Sequence, residues 1–264
     1  MKLRISVIMG IYNCAPTLQE ALDSLYAQTY QGFKIILCDD GSTDDTLKIA
    51  EENARLHDNV LVIRNERNMG LNYTLNHCLK YADTEYIARM DGDDISLPNR
   101  FEKELKFLDE HPEVGVVSAS MVHFDENGDF RLGRGKGRFI VAKDFISGTP
   151  LCHAVCMART VVFKQVGGYS VDKKLLRVED YHLWFKIFTA GYRLYDLDEC
   201  LYKMRDDRNA LARRNWMSRR NEAYVKHIGY KMINLPWYYQ FYTVVPILKN
   251  FVPNWLYCLV HSKG

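Results

Sequence analysis

Apolar residues along the first 120 positions follow two alternating rhythms. Ile5–Ile11 is a short, nearly continuous apolar run, the pattern of a strand buried on both faces. Leu18, Leu22 and Leu25 then recur at helical spacing, and Pro16 suits the first turn of that helix. Phe33–Cys38 reads as a second buried strand and Val60–Ile63 as a third. Leu71, Leu75, Cys78, Leu79 and Ala82 mark a helix leading to a fourth strand, Tyr86–Met90. A helix after Pro98 presents Phe101, Leu105 and Leu108 to the core, and Val114–Met121 is a fifth strand. Repeated strand–helix–strand units predict an α/β fold: a mostly parallel central sheet with right-handed crossovers and flanking helices.

Beyond residue 122 the rhythm loosens. Asp125–Gly128 reads as a turn, Arg131–Arg138 as a mobile, glycine-rich basic loop, and Gly167-Gly168 as a helix end. Val178–Ala190 is an amphipathic helix expected to bury Trp184, Ile187 and Phe188, with Gly191 as its stop. Tyr192–Leu197 is expected as an edge strand and Asn209–Ile228 as a basic helix. The expected organisation is one α/β domain over 1–204, with a nucleotide-binding half at 1–121 and an acceptor half at 122–204. A helical C-terminal extension, basic and aromatic, follows at 205–264.

Composition alters this picture in two places. The 264 residues carry a formal charge of only +2. Residues 201–264, however, hold 11 Lys/Arg against 3 Asp/Glu, so the body is acidic and the end is basic. Seven cysteines with no C-x-x-C pair are expected as buried reduced thiols. Met1-Lys2-Leu3-Arg4 leads directly into the first strand without a signal-peptide pattern, so a cytoplasmic protein is expected.

In parallel α/β sheets ligands bind beyond the carboxyl ends of the strands. That rule gathers four polar clusters at one rim: Tyr12-Asn13, Asp39-Asp40, Asn68-Met69-Gly70 and Asp91-Gly92-Asp93-Asp94. Three carboxylates in four residues repel one another unless a cation or solvent relieves them. Hard oxygen ligands in small number suit Mg²⁺ or Mn²⁺ shared with a diphosphate, and Gly92 would let a ligand approach the backbone. A solvated acidic turn is the plainer reading of the same residues. Asp39-Asp40-Gly41-Ser42-Thr43-Asp44 first reads as a helix cap, with Ser42 or Thr43 as the capping residue. Its carboxylates could also accept from a base N–H or a ribose hydroxyl, and Tyr12 could stack on a base. Glu179-Asp180 opens a helix, where the macrodipole favours anions. One of the two could serve instead as a general base toward a hydroxyl.

Taken together these residues resemble the family 2 glycosyltransferases, which have the GT-A fold. The matching stretches are SVIMGIYN at 6–13, DDGSTDDT at 39–46, RNMGLNYTLN at 67–76, IARMDGDD at 87–94 followed by LPNR, VGGY at 166–169 and VEDYHLWFKI at 178–187. They cover about residues 4–200 in family order and spacing. The resemblance implies an inverting transfer of a sugar from a nucleotide-sugar donor, with a UDP-sugar expected, to an acceptor hydroxyl in polysaccharide or glycolipid assembly. It implies that Tyr12 and Asp40 hold the base with Asp39 close by, and that Gly70 lies beside base and ribose. Asp91 and Asp93 match the D-x-D motif, Asp93 as the direct ligand of Mg²⁺ or Mn²⁺ and Asp91 beside metal and donor. Asp180 matches the catalytic base, with Glu179 as its neighbour in the pair. His153 falls in a loop where relatives bind acceptor or diphosphate. His182 stands where many relatives carry an acid and receives no role.

Residues 232–248 contain no charged side chain but crowd Trp237, Tyr238, Tyr239, Phe241 and Tyr242 together. Pro236, Pro246 and Pro253 interrupt the stretch, so it offers no spanning helix. Upstream stand Arg205, Arg208, Arg213, Arg214, Arg219, Arg220, Lys226 and Lys231. Aromatics flanked by bases suit the interface of an anionic membrane, so peripheral contact with the inner face of the cell membrane and a lipid-linked glycan acceptor are expected. The alternatives for the aromatics are packing onto the domain or a homodimer contact. Nucleic acid is not an expected partner. Two other functions fit less well. A sugar nucleotidyltransferase would need a glycine-rich, basic loop that Gly10–Asn13 does not supply. A phosphoacceptor signalling module would leave the 91–94 cluster without a purpose.

Overall fold

The computed structural model describes residues 2–133, 135–206 and 216–249. In chain order its main elements begin with β1 (Ile5–Ile11), α1 (Ala15–Tyr26), β2 (Phe33–Asp39), α2 (Thr46–Leu56) and β3 (Val60–Arg64). Then come α3 (Leu71–Leu79), β4 (Tyr86–Arg89), β5 (Ile95–Ser96), α4 (Arg100–Glu110), β6 (Val114–Asp125), β7 (Gly128–Leu132) and β8 (Arg138–Phe139). The second half adds α5 (Asp144–Ser147), β9 (Met157–Arg159), α6 (Thr160–Val166), α7 (Glu179–Thr189), β10 (Arg193–Arg205), α8 (Trp216–Met232) and α9 (Val245–Leu248).

One sheet runs β3-β2-β1-β4-β9-β6-β10-β5, with β7 paired to β6 and β8 to β10. The long ladders are parallel: β3-β2-β1-β4 forms one block and β6-β10 another. The three-residue β9 joins them, antiparallel to both β4 and β6. Successive residues of β1 point to opposite faces, and each face meets its own helices. Val7 and Met9 enter a core with Leu18, Leu22, Phe101 and Leu105 from α1 and α4. Ile8 enters a second core with Leu75 and Cys78 of α3 and Trp184 and Phe185 of α7. Trp184 has no exposure, and a side chain of that size contributes about 1.5–3 kcal/mol on burial.

Several expectations change. The strand expected at 192–197 continues to Arg205 and lies inside the sheet, between β6 and the short β5 and β8, so it is not an edge. The basic loop is anchored, since Lys136 N–H bonds Asp196, the Ser120 hydroxyl donates to Gly133 O, and no Cβ would fit at Gly135 against Leu197. Phe188 is only half-buried, while Phe185 is fully buried in its place. Neither Ser42 nor Thr43 caps α2; Asp44 accepts from Thr46 N at 3.0 Å. Of the basic helix expected at 209–228, residues 207–215 lie outside the described residues.

α8 does not project from the domain. Val225 and Tyr230 enter the second core, and Gly229 leaves no room for a Cβ against the Phe185 ring. Arg219 and Lys226, expected on a lipid-facing surface, are 7% and 3% exposed. Lys226 donates to Ile146 O and pairs with Glu222, so its charge is spent inside the fold. Arg208, Arg213 and Arg214 lie outside the described residues. Trp237, Tyr238, Phe241 and Tyr242 remain exposed, and only Tyr239 of that group packs against the core. Among the described residues no helix is long and apolar enough to cross a membrane.

Candidate active site

The loops after β1, β2 and β3 lock together at the carboxyl edge of the sheet. Asn13, at φ 48°, donates its N–H to Ser42 Oγ at 3.0 Å and accepts from Thr43 N at 2.9 Å. Asp40 is the hub. Its carboxylate accepts from Asn65 Nδ2, Met69 N and Gly70 N, each at 2.8 Å. Gly70, at φ 89°, adopts a backbone that only glycine takes easily, which turns its N–H toward Asp40. Tyr12, Asp40, Asn68 and Gly70 line a cavity of about 210 Å³. Tyr12 is 46% exposed, so its ring is not a packing residue and presents a free face. Asp39 takes no part in this cavity. It is fully buried, accepts from Ser42 N and pairs with Arg64 at 3.6 Å, so it shapes the turn.

The second cluster follows β4. Arg100, from the LPNR stretch, is fully buried and donates to Arg89 O and Cys156 O at 2.9 and 3.3 Å, which pins the ends of β4 and the approach to β9. Its neighbour Glu104 is pushed up to about 7 by burial, which outweighs the attraction of Arg100. Gly92 has a different use from the one expected. It is buried, and a Cβ there would come within 2.9 Å of Cys14 Sγ, so its small size serves packing against α1.

The three carboxylates of 91–94 separate into three environments. Asp94 is buried and accepts from Arg205 N at 2.8 Å; burial, then Asp91 and Asp93, push it up to about 8. Asp91 pairs with Arg89 at 2.5 Å. Asp93 is exposed, yet desolvation by the surrounding protein and then repulsion from Asp91 hold its carboxyl above the usual range. Among the described residues no side chain bonds the Asp93 carboxylate. Its backbone carbonyl is held by Arg205 Nε at 2.9 Å.

The third element is the start of α7. Arg177 takes φ 66°, a strained angle for a non-glycine residue, immediately before the helix. Asp180 accepts weakly from Thr149 Oγ1 at 3.4 Å, and burial raises its pKa. Glu179 is pushed up to about 7 by burial and then by Asp180, and its Oε2 is buried without a hydrogen bond. Asp180 lines a larger cavity of about 500 Å³ between Thr149, Arg177 and α8; Glu179 does not.

Arg89 ties the clusters together. It is 2% exposed; burial opposes its charge, but Asp91 outweighs this and the guanidinium stays protonated. Its positive field also reaches Asp93, Glu179 and Asp180 and favours their ionised forms. Among the described residues Nε and Nη1 of Arg89 have no hydrogen-bond partner. Sequence reasoning gave Arg89 and Tyr202 no role and placed Arg205 among the lipid-facing bases, whereas it is bonded within the site. Tyr202 accepts from Asp91 N through its hydroxyl at 3.3 Å, and Arg205 fastens Asp93 and Asp94. A charged residue one position before an apolar-acidic strand end was the available signal for Arg89. His153 bonds Tyr169 OH at 2.8 Å and stacks edge-on against Trp184; burial holds it well below the usual imidazole range, so it is neutral. His182 bonds Ser170 Oγ at 2.8 Å and is held down to about 4 by burial.

Among the described residues no three or more His, Cys, Asp or Glu side chains cluster closely enough to enclose a metal ion. The protein therefore offers one or two hard oxygens, from Asp93 and Asp91. That donor set fits Mg²⁺ or Mn²⁺, which retain positions for phosphate oxygens and water.

Residues 6–167 match the model of glycosyl transferase family 2. EpsE of Bacillus subtilis, which carries a provisional glycosyltransferase name, is 39% identical over 98% of this chain and 94% of its own length. The Escherichia coli protein WfaP, named UDP-Glc:α-D-GlcNAc-diphosphoundecaprenol β-1,3-glucosyltransferase, is 29% identical over 72% of each chain. Among solved structures, Staphylococcus aureus TarS in complex with UDP-GlcNAc superposes with a TM-score of 0.72 at 21% identity, over 90% of this chain and 69% of that one. The mannosyltransferase PcManGT of Pyrobaculum calidifontis, in complex with GDP-Man and Mn²⁺, superposes with a TM-score of 0.67 at 20% identity, over 94% and 75%. The fold is thus GT-A.

Proposed function

This chain belongs to glycosyl transferase family 2, and on that footing we propose that it is a metal-dependent, inverting enzyme moving a sugar from a nucleoside-diphosphate donor, a UDP-sugar, to a hydroxyl of a lipid-linked glycan. The observation that carries this reading is the Asp93 carboxylate. Among the described residues it has no side-chain partner in the turn after β4, and the field of buried Arg89 reaches both it and Asp180.

In this reading Tyr12 stacks on the base, and the loop fastened by Asp40 at Gly70 lies against base and ribose. A cation held by Asp93, with Asp91 beside it, would neutralise charge on the departing diphosphate. The acceptor oxygen attacks the anomeric carbon, the bond to the phosphate oxygen breaks, and Asp180 takes the hydroxyl proton. One displacement inverts the centre, and no covalent nucleophile is needed. Burial raises the pKa of Asp180, and Arg89 is one of the groups that favour its ionised form. Glu179, pushed up to about 7 by burial, is only about half ionised at neutrality and does not line the cavity, so it is the poorer candidate for the base.

The lipid-linked acceptor is supported by the relatives named for diphosphoundecaprenol substrates and by the exposed aromatics at 237–242. With Arg219 and Lys226 turned inward, the apolar contact carries more of the proposed membrane association than charge does. We assign the enzyme to the cytoplasmic face of the cell membrane on the same grounds. The test is a panel of nucleotide-sugars scored for metal-dependent hydrolysis and for thermal stabilisation. Asp93→Ala should remove the metal-dependent part of nucleoside-diphosphate binding, a loss above about 100-fold, beyond the usual cost of an outer-shell partner. Equal nucleoside-diphosphate affinity with and without Mg²⁺ or Mn²⁺ in the native chain would defeat the metal assignment.

A further inference from the structure

The larger cavity contains a buried cation that the proposed chemistry does not use. Its volume is about 500 Å³, and Thr149, Arg177, Asp180, Arg219, Glu222 and Lys249 are among its lining residues. Arg219 is the informative one. It is 7% exposed, and among the described residues its Nε and Nη1 find no hydrogen-bond partner. The nearest carboxylate oxygen, Glu222 Oε2, stands 3.9 Å from Nη1, an ion pair too long to be a hydrogen bond. Glu222 is also engaged by Lys226 at 3.6 Å. Burying a guanidinium without full pairing is costly, and an incoming anion would remove that cost.

Arg219 cannot easily swing away to find water. It sits on α8, which is anchored in the core by Val225 and Tyr230. Across the cavity Asp180 is reserved for the attacking hydroxyl. Arg219 and Lys249 line the cavity beside Glu222, whose carboxylate is already shared with Lys226. A planar guanidinium matches a phosphate through paired N–H donors better than it matches neutral hydroxyls. The cavity is also large enough for a sugar together with a phosphate group.

Its mouth adjoins an apolar ledge. Lys249 follows α9, where Leu248 is 57% exposed, and the preceding segment exposes Trp237, Tyr238, Phe241 and Tyr242. We propose that Arg219, with Arg177 and Lys249, forms a subsite for the phosphate that joins the acceptor glycan to its lipid, leaving the lipid chain against the 237–248 ledge. This rests on the glycosyl-transfer reading above and adds the chemistry that recognises the acceptor.

The test is calorimetric titration of the full chain in detergent and EDTA, so that binding through a metal at Asp93 is removed. The probes are farnesyl diphosphate, farnesol and inorganic pyrophosphate. Farnesyl diphosphate should bind at least about 10-fold more tightly than either of the others. Arg219→Gln should weaken it about 10- to 100-fold, the range for a hydrogen bond to a charged group, and leave farnesol unchanged. Arg219→Lys should restore part of the loss. Lys249→Gln, at a less buried position, should weaken binding by a smaller factor and provides a readout if the Arg219 variants fold poorly. Equal farnesyl diphosphate affinity in the native chain, Arg219→Gln and Lys249→Gln would overturn the proposal. Pyrophosphate binding as tightly as farnesyl diphosphate would overturn its lipid-linked part. Neither result bears on the transfer reading, which stands or falls on metal-dependent hydrolysis of the nucleotide-sugar.

Discussion

Asp40 and Asp180 belong to the two halves of the candidate site, and the fold treats them differently. Asp40 receives three hydrogen bonds from within the protein, two of them from the backbone of the loop it positions. Asp180 receives one long side-chain contact, from Thr149, and backbone N–H contacts at the start of its own helix; among the described residues Glu179 beside it leaves a buried oxygen unbonded and Arg219 two nitrogens. The loop at the base and ribose position is fastened before any ligand arrives. On the acceptor side the described residues leave part of the buried charge without hydrogen bonds. Pre-satisfied groups give geometry, whereas under-satisfied groups give reactivity and a demand for a ligand.

The comparison can be broken most directly at Asp180. Asp180→Asn should lower turnover by about 10²–10⁴-fold with donor affinity unchanged. If Glu179→Gln abolished turnover and Asp180→Asn did not, the reactive role would move one residue. In the native enzyme kcat should fall as pH drops through a pKa above the usual carboxylate range, because burial raises Asp180 and only its ionised form accepts the proton. An acid limb at the ordinary aspartate value would mean that the acceptor side is as well satisfied as the donor side.

A smaller effect should come from the donor side. Asp40→Asn replaces an acceptor-only group by one bearing N–H donors that face Met69 N and Gly70 N. Donor affinity should fall about 10-fold and stability by about 1–3 kcal/mol, read by nucleotide titration and thermal unfolding. Unchanged values would show that the 68–70 loop does not depend on its hub.

The exposed ledge sharpens the contrast on the acceptor side. Trp237→Ser with Phe241→Ser should weaken co-sedimentation with anionic vesicles several-fold, largely independent of salt, while thermal unfolding stays the same, since both rings are exposed. Loss of binding by high salt alone, with the aromatics dispensable, would return the role to the basic residues.

The smallest expected change is a gain. Glu179 lies near 7 in the fold against an ordinary value of 4.5. Below the ordinary value both folded and unfolded chains carry the proton, and the group is neutral to stability. As pH rises toward 7 the unfolded chain ionises first, so the folded state is progressively disfavoured. Glu179→Gln should therefore raise Tm at pH 8, by the equivalent of about 1–3 kcal/mol, and leave it unchanged at pH 4. No gain at pH 8 would mean that the buried oxygen finds a partner in solution.

The donor side was also the more legible one. β1 has the bounds read from its apolar run, and β2 differs by one residue, because strands buried on both faces advertise themselves without interruption. Tyr12, Asp40 and Gly70 fell at one rim by topology alone. The acceptor half was harder for physical reasons. β9 is three residues within a longer apolar stretch, Leu151–Ala158, with no turn residue to delimit it. β10 was cut short because Asp198 and Glu199 look like a loop; they sit at an irregularity in a strand that resumes. Arg219 and Lys226 were read as surface charge. Composition reports that a helix is basic but not which of its faces the core will claim.

β9 also has a bearing on the order in which the chain assembles. Everything in the β3-β2-β1-β4 block lies within residues 5–89, whereas β6 and β10 bring together residues 114 and 205 at their extremes. Ala158 pairs with Ile87 on one side and Val116 on the other, and Met157 with Ala88 and Val117. The first block leaves the ribosome complete, with short loops to close. The second must wait for β10, and the seam between them waits for a strand of three residues. Until that seam zips, the β4 edge carrying the acidic cluster is an open strand, so a nascent chain stalled before residue 157 would expose it to other partners.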